Sequence, residues 1–519
     1  MANVRKPFLG LEGRSLSWAI TLCAGSAFLL FGYDQGVLGS IISRSDFLGA
    51  LGISPDDPDT LSTVVSIYDI GNMVGCLAAA IWGGRYGRRA AITFGCIITI
   101  IGAALQASSY SVAQIIVARI ITGIGNGVNT AIVPTWVAET AKSEHRGKLI
   151  ATQLTTAILG IVIAYWINYG FFHLHGQVVW RFPIAFQIVF VMFTLAGLPF
   201  LPESPRYLYF KDRVEEGNVV LSALKAQPIE SSIVQAEAAE ILTAIEMENS
   251  LGKASIKDIF LNRSGDQILK RLILVVVIQV LQEMTGTQIV VYYSSSIFIT
   301  LGIENGLALI LGGIVSIAFL LGSILGVILI DRIGRKKLLI SGTVPMFVLY
   351  ILYMVMVKNG GRAQLWVAFG ATCAIMFAFG WSWLSTAWVY GPELVPVRYR
   401  HVGGALNAFS NWTFAFVTGK LTSNLKRAGA YTYPVKIAPI GIANLGWKFY
   451  IIFIVMTFIQ LPVVWLFYPE TKGLSLEEID GLFVKDGEAT EMLAEASEKR
   501  HQLEIKDTGY AHEEVSPSS

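Results

Sequence analysis

Long apolar runs separated by short polar segments dominate this chain of 519 residues. Each run is close to the roughly 20 residues that an α-helix needs to cross a hydrocarbon core about 30 Å thick. The pattern therefore predicts an all-α membrane protein with twelve transmembrane helices. The predicted spans are Ser17 to Ile41, Leu61 to Trp82, Ala91 to Ala107, Val112 to Trp136, Leu149 to Phe171, Phe182 to Leu201, Lys270 to Thr300, Leu307 to Ile330, Leu338 to Val357, Leu365 to Val389, Val402 to Leu421 and Trp447 to Tyr468.

A polar stretch divides the spans into two sets of six, and it is too long for a hairpin turn. It contains helix-forming sequence such as SSIVQAEAAEILTAIEMEN, which predicts short amphipathic helices outside the bilayer. The predicted organisation is an N-terminal segment 1–16, a six-helix bundle 17–201, a linker 202–269, a second six-helix bundle 270–468 and a tail 469–519.

The composition is typical of a chain surrounded by lipid. Hydrophobic residues make up 54% of the sequence and charged residues 15%, whereas a soluble domain has about 25% charged residues. The net charge of +2 does not indicate a nucleic-acid partner. The four cysteines lie in predicted spans without metal-site spacing. Since the sequence also has no catalytic triad or phosphate-binding loop, we expect no cofactor, no metal and no enzymatic activity.

Basic residues cluster in the loops that follow the second, fourth, eighth and tenth spans. The positive-inside rule places these loops in the cytoplasm, and both termini with them. The segment from Lys420 to Lys436 disagrees, because it is basic and would be external. The residues that set the orientation are Arg85, Arg88, Arg89, Lys142, Arg146, Lys148, Arg332, Arg335, Lys336, Lys337, Arg398 and Arg400.

Three landmarks recur in the same order in the two halves of the chain. GGRYGRR in the first half corresponds to DRIGRKK in the second, ETAKSEHR to ELVPVRYR, and LPESPR to YPETKG, all at a similar separation along the chain. Repeats of this kind are typical of transporters built from duplicated bundles. The pattern therefore predicts an internal duplication.

These landmarks, together with GYDQG, RIITGIGNG and QEMTGTQIVVYY, resemble the sugar porter family of the major facilitator superfamily. GYDQG, WRFPIAFQIVF and SWLSTAWVY are similar to fungal branches that include glycerol/proton symporters and disaccharide permeases. The resemblance implies two six-helix bundles that rock around a central site. It also implies a monomeric plasma-membrane carrier, a fungal-type symporter for a proton and a small-molecule monosaccharide or polyol.

Charged residues near the basic loops are candidates for a gate. In the resembled family, arginines at helix ends pair with glutamates and lock the cytoplasmic side while the carrier is open outward. The alternative is that the arginines only set the orientation. Gly84 stands where the family's first loop has an acidic residue, whereas Asp331 retains the acidic residue in the second loop. We therefore expect the gate in the first half of the chain to be weaker than the gate in the second half. The gating candidates are Arg85, Arg88, Glu139, Arg146, Arg332, Arg335, Glu393 and Arg400, with Tyr292 and Tyr293 for the external side.

Asp34 lies inside the first predicted span, where an ionisable residue is costly enough to indicate a function. Arg119 in the fourth span is its candidate partner, because Gly123, Gly125 and Gly127 allow close helix approach. The resemblance implies that this pair couples proton binding to transport. A purely structural ion pair is the alternative.

The seventh span carries a polar stripe at helical spacing, formed by Gln279, Gln282 and Glu283. Amides and carboxylates of this kind bind hydroxyl groups, and Thr285 and Gly286 predict a helix break directly after them. The resemblance implies a sugar site here, in which Glu283 replaces a glutamine, Gln288 an asparagine, and the usual glutamine of the fifth span becomes Leu154. The further candidates for substrate binding are Gln288, Trp388, Asn411 and Gln153.

Two other functions are compatible with these residues. A facilitated-diffusion carrier would bind the same solutes without a proton. A sugar sensor would bind the solute and signal, but sensors in the resembled family carry long cytoplasmic tails, and only about 50 residues follow PETKG here. Transport coupled to protons is the prediction we carry forward.

Overall fold

The computed structural model describes residues 7–42, 44–54, 57–141, 146–250, 267–396, 399–424, 446–472, 474, 479 and 482–483. These residues form helices joined by short turns, and no β-strand occurs among them. The helices are α1 (Gly13–Ile41), α2 (Ser45–Leu51), α3 (Pro58–Tyr86), α4 (Arg88–Ala107), α5 (Val112–Thr140), α6 (Arg146–Gly170), α7 (Val178–Gly197), α8 (Pro205–Phe210), α9 (Val214–Lys225), α10 (Ser232–Ser250), α11 (Ile268–Glu283), α12 (Thr287–Thr300), α13 (Asn305–Ile333), α14 (Arg335–Asn359), α15 (Arg362–Phe379), α16 (Ser385–Glu393), α17 (Arg400–Asn424) and α18 (Ile451–Phe467).

Within the described ranges, eleven helical segments are long and apolar enough to cross a membrane. The remaining predicted span, Val402 to Leu421, forms helix α17, which is 25 residues long. Its polar residues Asn407, Ser410 and Asn411 are buried in the protein, so this helix is less apolar than the others because part of it faces the interior. The predicted twelve-span architecture is confirmed.

The seventh span is broken into α11 and α12, as the sequence predicts. Gly286 lies in the turn between them with a φ of +79°, a backbone conformation that side chains with a Cβ rarely adopt. A Cβ at this position would also meet the ring of Phe453. Both constraints require glycine at the break.

The tenth span is interrupted by a π-helical turn, Gly380–Leu384, between α15 and α16. π-Helical turns are rare, and they occur frequently at functional sites because they release backbone groups from the regular helix ladder. The turn was not predicted from the sequence, which has no proline or glycine pattern that marks it. It faces the polar stripe of α11.

Glycines hold α3 against α5 in the first half of the chain. A Cβ placed on Gly127 would overlap the backbone of Asn72, and one placed on Gly123 would overlap the carbonyl of Tyr68. These contacts bring Arg119 close to α3, because the glycines follow it on the same helix. Small residues have this role in many membrane helix pairs.

We expect Gly127→Ala to destabilise the folded protein by about 1–3 kcal/mol, because overpacking a close contact forces the helices apart. Thermal unfolding of the purified protein in detergent measures this change. Gly370→Ala is the matched control, since a Cβ at Gly370 meets nothing within 4 Å, and alanine is the better helix former. Equal unfolding midpoints for the two variants would contradict the packing account.

The two halves of the chain contact each other along α6, which packs on α13, while α3 packs on α17. Near the end of α6 that begins at Arg146, the Thr155 hydroxyl lies 3.3 Å from the carbonyl oxygen of Ser323. Near its other end, the Tyr165 hydroxyl donates to the carbonyl of Val291 at 3.0 Å. The halves therefore touch on both sides of the protein interior.

The polar stretch between the halves forms helices α8, α9 and α10, in agreement with the predicted short helices. They share a small apolar core formed by Tyr209, Leu221, Val234, Ala238 and Ile245. Lys225 of α9 forms an ion pair with Glu237 of α10. The short helix α2 was not predicted, because its seven residues lie in the loop after the first span.

Candidate functional site

Asp34 and Arg119 form an ion pair inside the first half of the protein. Arg119 Nη1 donates to Asp34 Oδ2 at 2.9 Å, and both side chains are only 1% exposed. Helix α1 supplies Asp34 and helix α5 supplies Arg119. The sequence predicted this partnership, and the structure places the two residues together.

The remaining donors of Arg119 are directed at helix α3. Its Nε donates to the carbonyl of Val64 at 3.3 Å, and its Nη2 donates to the carbonyl of Val65 at 3.1 Å. The guanidinium carbon lies 4.3 Å from the ring centre of Tyr68, a distance typical of a cation–π interaction. Arg119 therefore holds three helices together while it pairs with Asp34.

Asp69 is a second buried carboxylate beside this pair, and it was not predicted from the sequence. It lies one helical turn after Val65 on α3 and is 0% exposed. The Tyr292 hydroxyl of α12 donates to Asp69 Oδ1 at 3.2 Å. This contact links the charged residues of the first half to the broken helix of the second.

A cluster of amides and a carboxylate lies between α11 and α17. Asn411 Nδ2 is 3.0 Å from Gln279 Oε1, 2.9 Å from Glu283 Oε1 and 3.4 Å from Gln282 Oε1. An amide nitrogen has two hydrogens, so the three acceptors exceed its donors. The structure brings together four residues that the sequence predicted for one site.

Gln279 and Gln282 are themselves held by backbone and side-chain groups. Gln279 Nε2 donates to Asn407 Oδ1 at 2.7 Å. Gln282 Nε2 lies 3.3 Å from the carbonyl of Trp383 and 3.4 Å from that of Leu384. Both carbonyls belong to the π-helical turn, which explains why that turn faces the cluster. Asn407 was missed, although it lies one helical turn before Asn411.

Several buried polar atoms near these helices have no hydrogen-bond partner among the described residues. Buried polar groups are usually paired, so such atoms indicate a place where a ligand can be bound. Gln153 is the clearest case, because neither its Oε1 nor its Nε2 is paired and the residue is 1% exposed. Other such atoms include Glu283 Oε2, Asp69 Oδ2, Tyr293 OH, Ser385 Oγ and Thr386 Oγ1.

The loops with basic residues form matching structures in the two halves. Arg88 Nη2 donates to Glu139 at 2.7 Å, and Arg335 donates to Glu393 from Nε at 3.2 Å and from Nη2 at 2.9 Å. We call the end of the protein with these two pairs the basic side. Arg335 also lies 3.5 Å from Asp331, a contact that glycine at position 84 cannot supply to Arg88.

Two further glutamates complete this arrangement, and their role was missed. Glu203 of LPESPR accepts from the backbone N–H of Arg88 at 3.0 Å and of Arg89 at 3.1 Å. Glu470 of YPETKG accepts from the backbone N–H of Arg335 at 2.8 Å. Each glutamate therefore lies at a helix N-terminus, where the helix dipole favours an anion. The recurrence of the two motifs was the available signal.

Comparison with known proteins decides the family. Residues 18–483 match the family model of the sugar (and other) transporters. The chain belongs to this transporter family. The MFS-type transporter oryC of Aspergillus oryzae is 36% identical to it over 490 residues, which cover 92% of this chain and 88% of that protein. The sugar transporter STL1 of Saccharomyces cerevisiae is 34% identical, over 92% of this chain and 83% of that protein.

A solved structure confirms the architecture of this family member. The proton:xylose symporter XylE of E. coli, bound to 6-bromo-6-deoxy-D-glucose, superposes with a TM-score of 0.75 over 90% of this chain and 99% of that chain, at 23% identity. The fold is therefore the major facilitator fold of two six-helix bundles. The ion pair of Asp34 lies in the first bundle, and the amide cluster lies in the second.

Two other predicted site residues lie in the helices that follow the breaks in the seventh and tenth spans. Gln288 and Trp388 are partly buried, in α12 and α16 respectively. Trp412, the neighbour of Asn411, is fully buried and makes edge-to-face contacts with Phe31 at 5.4 Å and Tyr68 at 6.2 Å between ring centres. Trp412 therefore joins the two bundles, as Tyr165 and Tyr292 also do.

Four other predicted gating arginines fall into two groups, two with exposed side chains and two whose side chains the structure does not describe. Arg85 and Arg332 have exposed side chains, and the ion pairs of the basic side are made by Arg88 and Arg335 instead. The side chains of Arg146 and Arg400 lie outside the described part of the structure, so their pairing stays a prediction. In the described ranges, no group of three or more histidine, cysteine or acidic side chains is arranged to hold a metal ion.

Proposed function

We propose that this transporter carries a monosaccharide or a polyol together with a proton, by alternating access, across the plasma membrane. The observation that carries the proposal is the fully buried Asp34–Arg119 pair. Arg119 also donates to α3, and Asp69 of α3 accepts from Tyr292 of α12 in the other bundle. Protonation of Asp34 would remove one of the two charges and free Arg119 to move. A proton could in this way change the contacts between the bundles.

The amide cluster supports a neutral, hydroxylated solute. Gln279, Gln282, Glu283 and Asn411 offer both donors and acceptors, and Glu283 Oε2 has no hydrogen-bond partner among the described residues. Gln153 of α6, in the first bundle, adds an amide whose two polar atoms have no partner among those residues. Hydroxyl groups can both donate and accept, so a polyol fits such a mixed site. Two similar proteins, the sugar transporter STL1 and the proton:xylose symporter XylE, agree with this class of solute.

The proposed orientation places the basic side and both termini in the cytoplasm. In this orientation the Arg88–Glu139 and Arg335–Glu393 pairs lie at the cytoplasmic ends of the bundles, and Tyr292 closes the external side. We further propose that a single chain is the transporting unit, because one chain supplies both partners of each of these contacts and both bundles around the site.

Tracer uptake in a host without its own carriers tests the proposed function. A panel of hexoses, pentoses, glycerol and disaccharides is compared at two external pH values, while the pH of a weakly buffered medium is recorded. We expect uptake of at least one monosaccharide or polyol, with alkalinisation of the medium when the solute is added. Uptake without alkalinisation would favour facilitated diffusion, and binding without any flux would favour a sensor.

Asn411→Ala is expected to weaken solute binding. We place the Asn411 amide against a solute hydroxyl. A buried solute acceptor that loses this donor costs about 1–3 kcal/mol of binding free energy, or roughly a 5- to 150-fold rise in KM. Initial uptake rates over a range of solute concentrations measure this change. Asn359→Ala, at the exposed end of α14, is the matched control, and an equal KM in both variants would remove Asn411 from the site.

A further inference from the structure

Asp69 differs from the buried carboxylates Asp34 and Glu283 because its hydrogen bond connects the two bundles. Asp34 pairs with Arg119 inside the first bundle, and Glu283 accepts from Asn411 inside the second. Asp69 lies in the first bundle and accepts from Tyr292 of the second. When the bundles rock apart on the side of Tyr292, this is the carboxylate contact that has to break.

The surroundings of Asp69 do not favour a negative charge in the closed state. Its side chain is fully buried, and its Oδ2 has no hydrogen-bond partner among the described residues. The charged and titratable groups that act on it are Arg119 of α5, Asp34 of α1, Glu283 of α11, Tyr68 of its own helix, and Tyr292 and Tyr293 of α12.

The single cation in this set, Arg119, is already paired with Asp34. Two further carboxylates therefore share the interior with no cation of their own among the described residues. A buried carboxylate without a partner charge is far more stable as the neutral acid. Its carbonyl oxygen can still accept the hydrogen bond from Tyr292 in that form.

We propose that Asp69 is a proton-binding residue of the external gate, and that Tyr292 closes over it only when it is protonated. In the open state Asp69 is hydrated and can lose its proton to water. Closure transfers it into a dry contact between the bundles, so a proton must bind to one carboxylate oxygen before Tyr292 packs against the other. This inference rests on the proposed transport cycle and adds a second protonation to the one at Asp34. The proton on Asp69 returns to the external solution when the gate reopens, so the proton that is carried across remains the one at Asp34.

The pH profile of uptake tests this gate. Initial tracer uptake is measured in vesicles at fixed internal pH and fixed membrane potential, over external pH values from about 5 to 8. Each required proton contributes up to about a tenfold fall in rate per pH unit on the alkaline side. We expect the wild-type rate to fall by up to about 100-fold per pH unit, because two protons are required. The rate of Asp69→Asn should fall by up to about tenfold per pH unit, because one proton is required.

Asp69→Asn is informative because asparagine is neutral and can still accept from Tyr292. Its control is Asp59→Asn, which makes the same change at an exposed position of the same helix and should keep the wild-type profile. If Asp69→Asn yields no folded protein, Asp69→Ser replaces it, since serine is also neutral and its hydroxyl can accept. A purely structural role predicts lower rates at every pH with an unchanged profile.

A parallel fall for Asp69→Asn and the wild type would overturn the proposal. A wild-type rate that falls by only up to about tenfold per pH unit would also overturn it, and this measurement requires no variant. Either result leaves the proposed symport intact if Asp34→Asn still abolishes accumulation. Wild-type uptake that is independent of pH and moves no protons would instead overturn both the symport and the gate.

Discussion

Asp34→Asn is expected to abolish accumulation of solute against a gradient while exchange of solute continues. Asparagine keeps an oxygen that can accept from Arg119 Nη1, so the contact at 2.9 Å between α1 and α5 has a neutral replacement. It cannot bind and release a proton in the physiological range. The variant should therefore equilibrate the solute to an internal-to-external ratio of about 1, because no proton gradient is coupled to it.

Two measurements on the same cells test this result. Steady-state accumulation reports coupling, and the exchange of labelled solute for unlabelled solute reports whether the carrier still moves. Asp59→Asn, exposed at the beginning of α3, is the control for the chemical change and should accumulate like the wild type. Concentrative uptake by Asp34→Asn would show that Asp34 is not the coupling carboxylate.

Arg119→Gln is expected to have the largest effect on the folded protein. The substitution leaves Asp34 buried without its cation and removes donors to the carbonyls of Val64 and Val65. Removing one partner of a buried ion pair costs about 3–5 kcal/mol, because the remaining charge is uncompensated. We expect a large loss of folded protein in size-exclusion chromatography of detergent extracts.

The double variant with Asp34→Asn and Arg119→Gln separates the charge from the packing. It removes both charges, so its yield of folded protein should exceed that of Arg119→Gln alone, while accumulation stays absent. Arg362→Gln, at the exposed beginning of α15, is the control and should behave as the wild type. If the single variant at Arg119 folds normally, the pair does not stabilise the bundle in the way proposed.

The Asp34–Arg119 pair could be found from the sequence because its physical signal is strong. An ionised side chain in an apolar span needs a partner of opposite charge, and Arg119 supplied one. The glycines beside Arg119, which suggested close helix approach, receive α3 and α4 and not α1, the helix of Asp34. The stripe of Gln279, Gln282 and Glu283 was visible for a similar reason, since helical spacing puts all three on one face. In both cases the decisive information is local.

Asp69 had the same signal as Asp34 and was still missed. It lies in the predicted span from Leu61 to Trp82, but its partner Tyr292 is 223 positions away in the chain. Nothing in the neighbouring sequence of either residue indicates the other. The two residues meet only because the bundles pack against each other, which is a property of the tertiary structure.

The capping glutamates and the π-helical turn were hidden for different reasons. LPESPR and YPETKG were recognised as a repeat, but a repeat does not say that Glu203 and Glu470 accept from the first N–H groups of α4 and α14. The π-helical turn at Gly380–Leu384 is defined by its backbone hydrogen bonds, and no particular residue type marks it in the sequence. Sequence therefore predicted the spans, and which of the candidate site residues lie together, better than the contacts that position them.

Transport by the purified protein in liposomes is the most direct test of proton-coupled solute movement. With a pH difference of two units, acidic outside, and the membrane potential clamped at zero, coupling to one proton can sustain up to about 100-fold accumulation of a tracer solute. The account predicts accumulation well above the equilibrium ratio, which collapses when a protonophore is added. Uptake that stops at equal internal and external concentrations, with or without the protonophore, would contradict it.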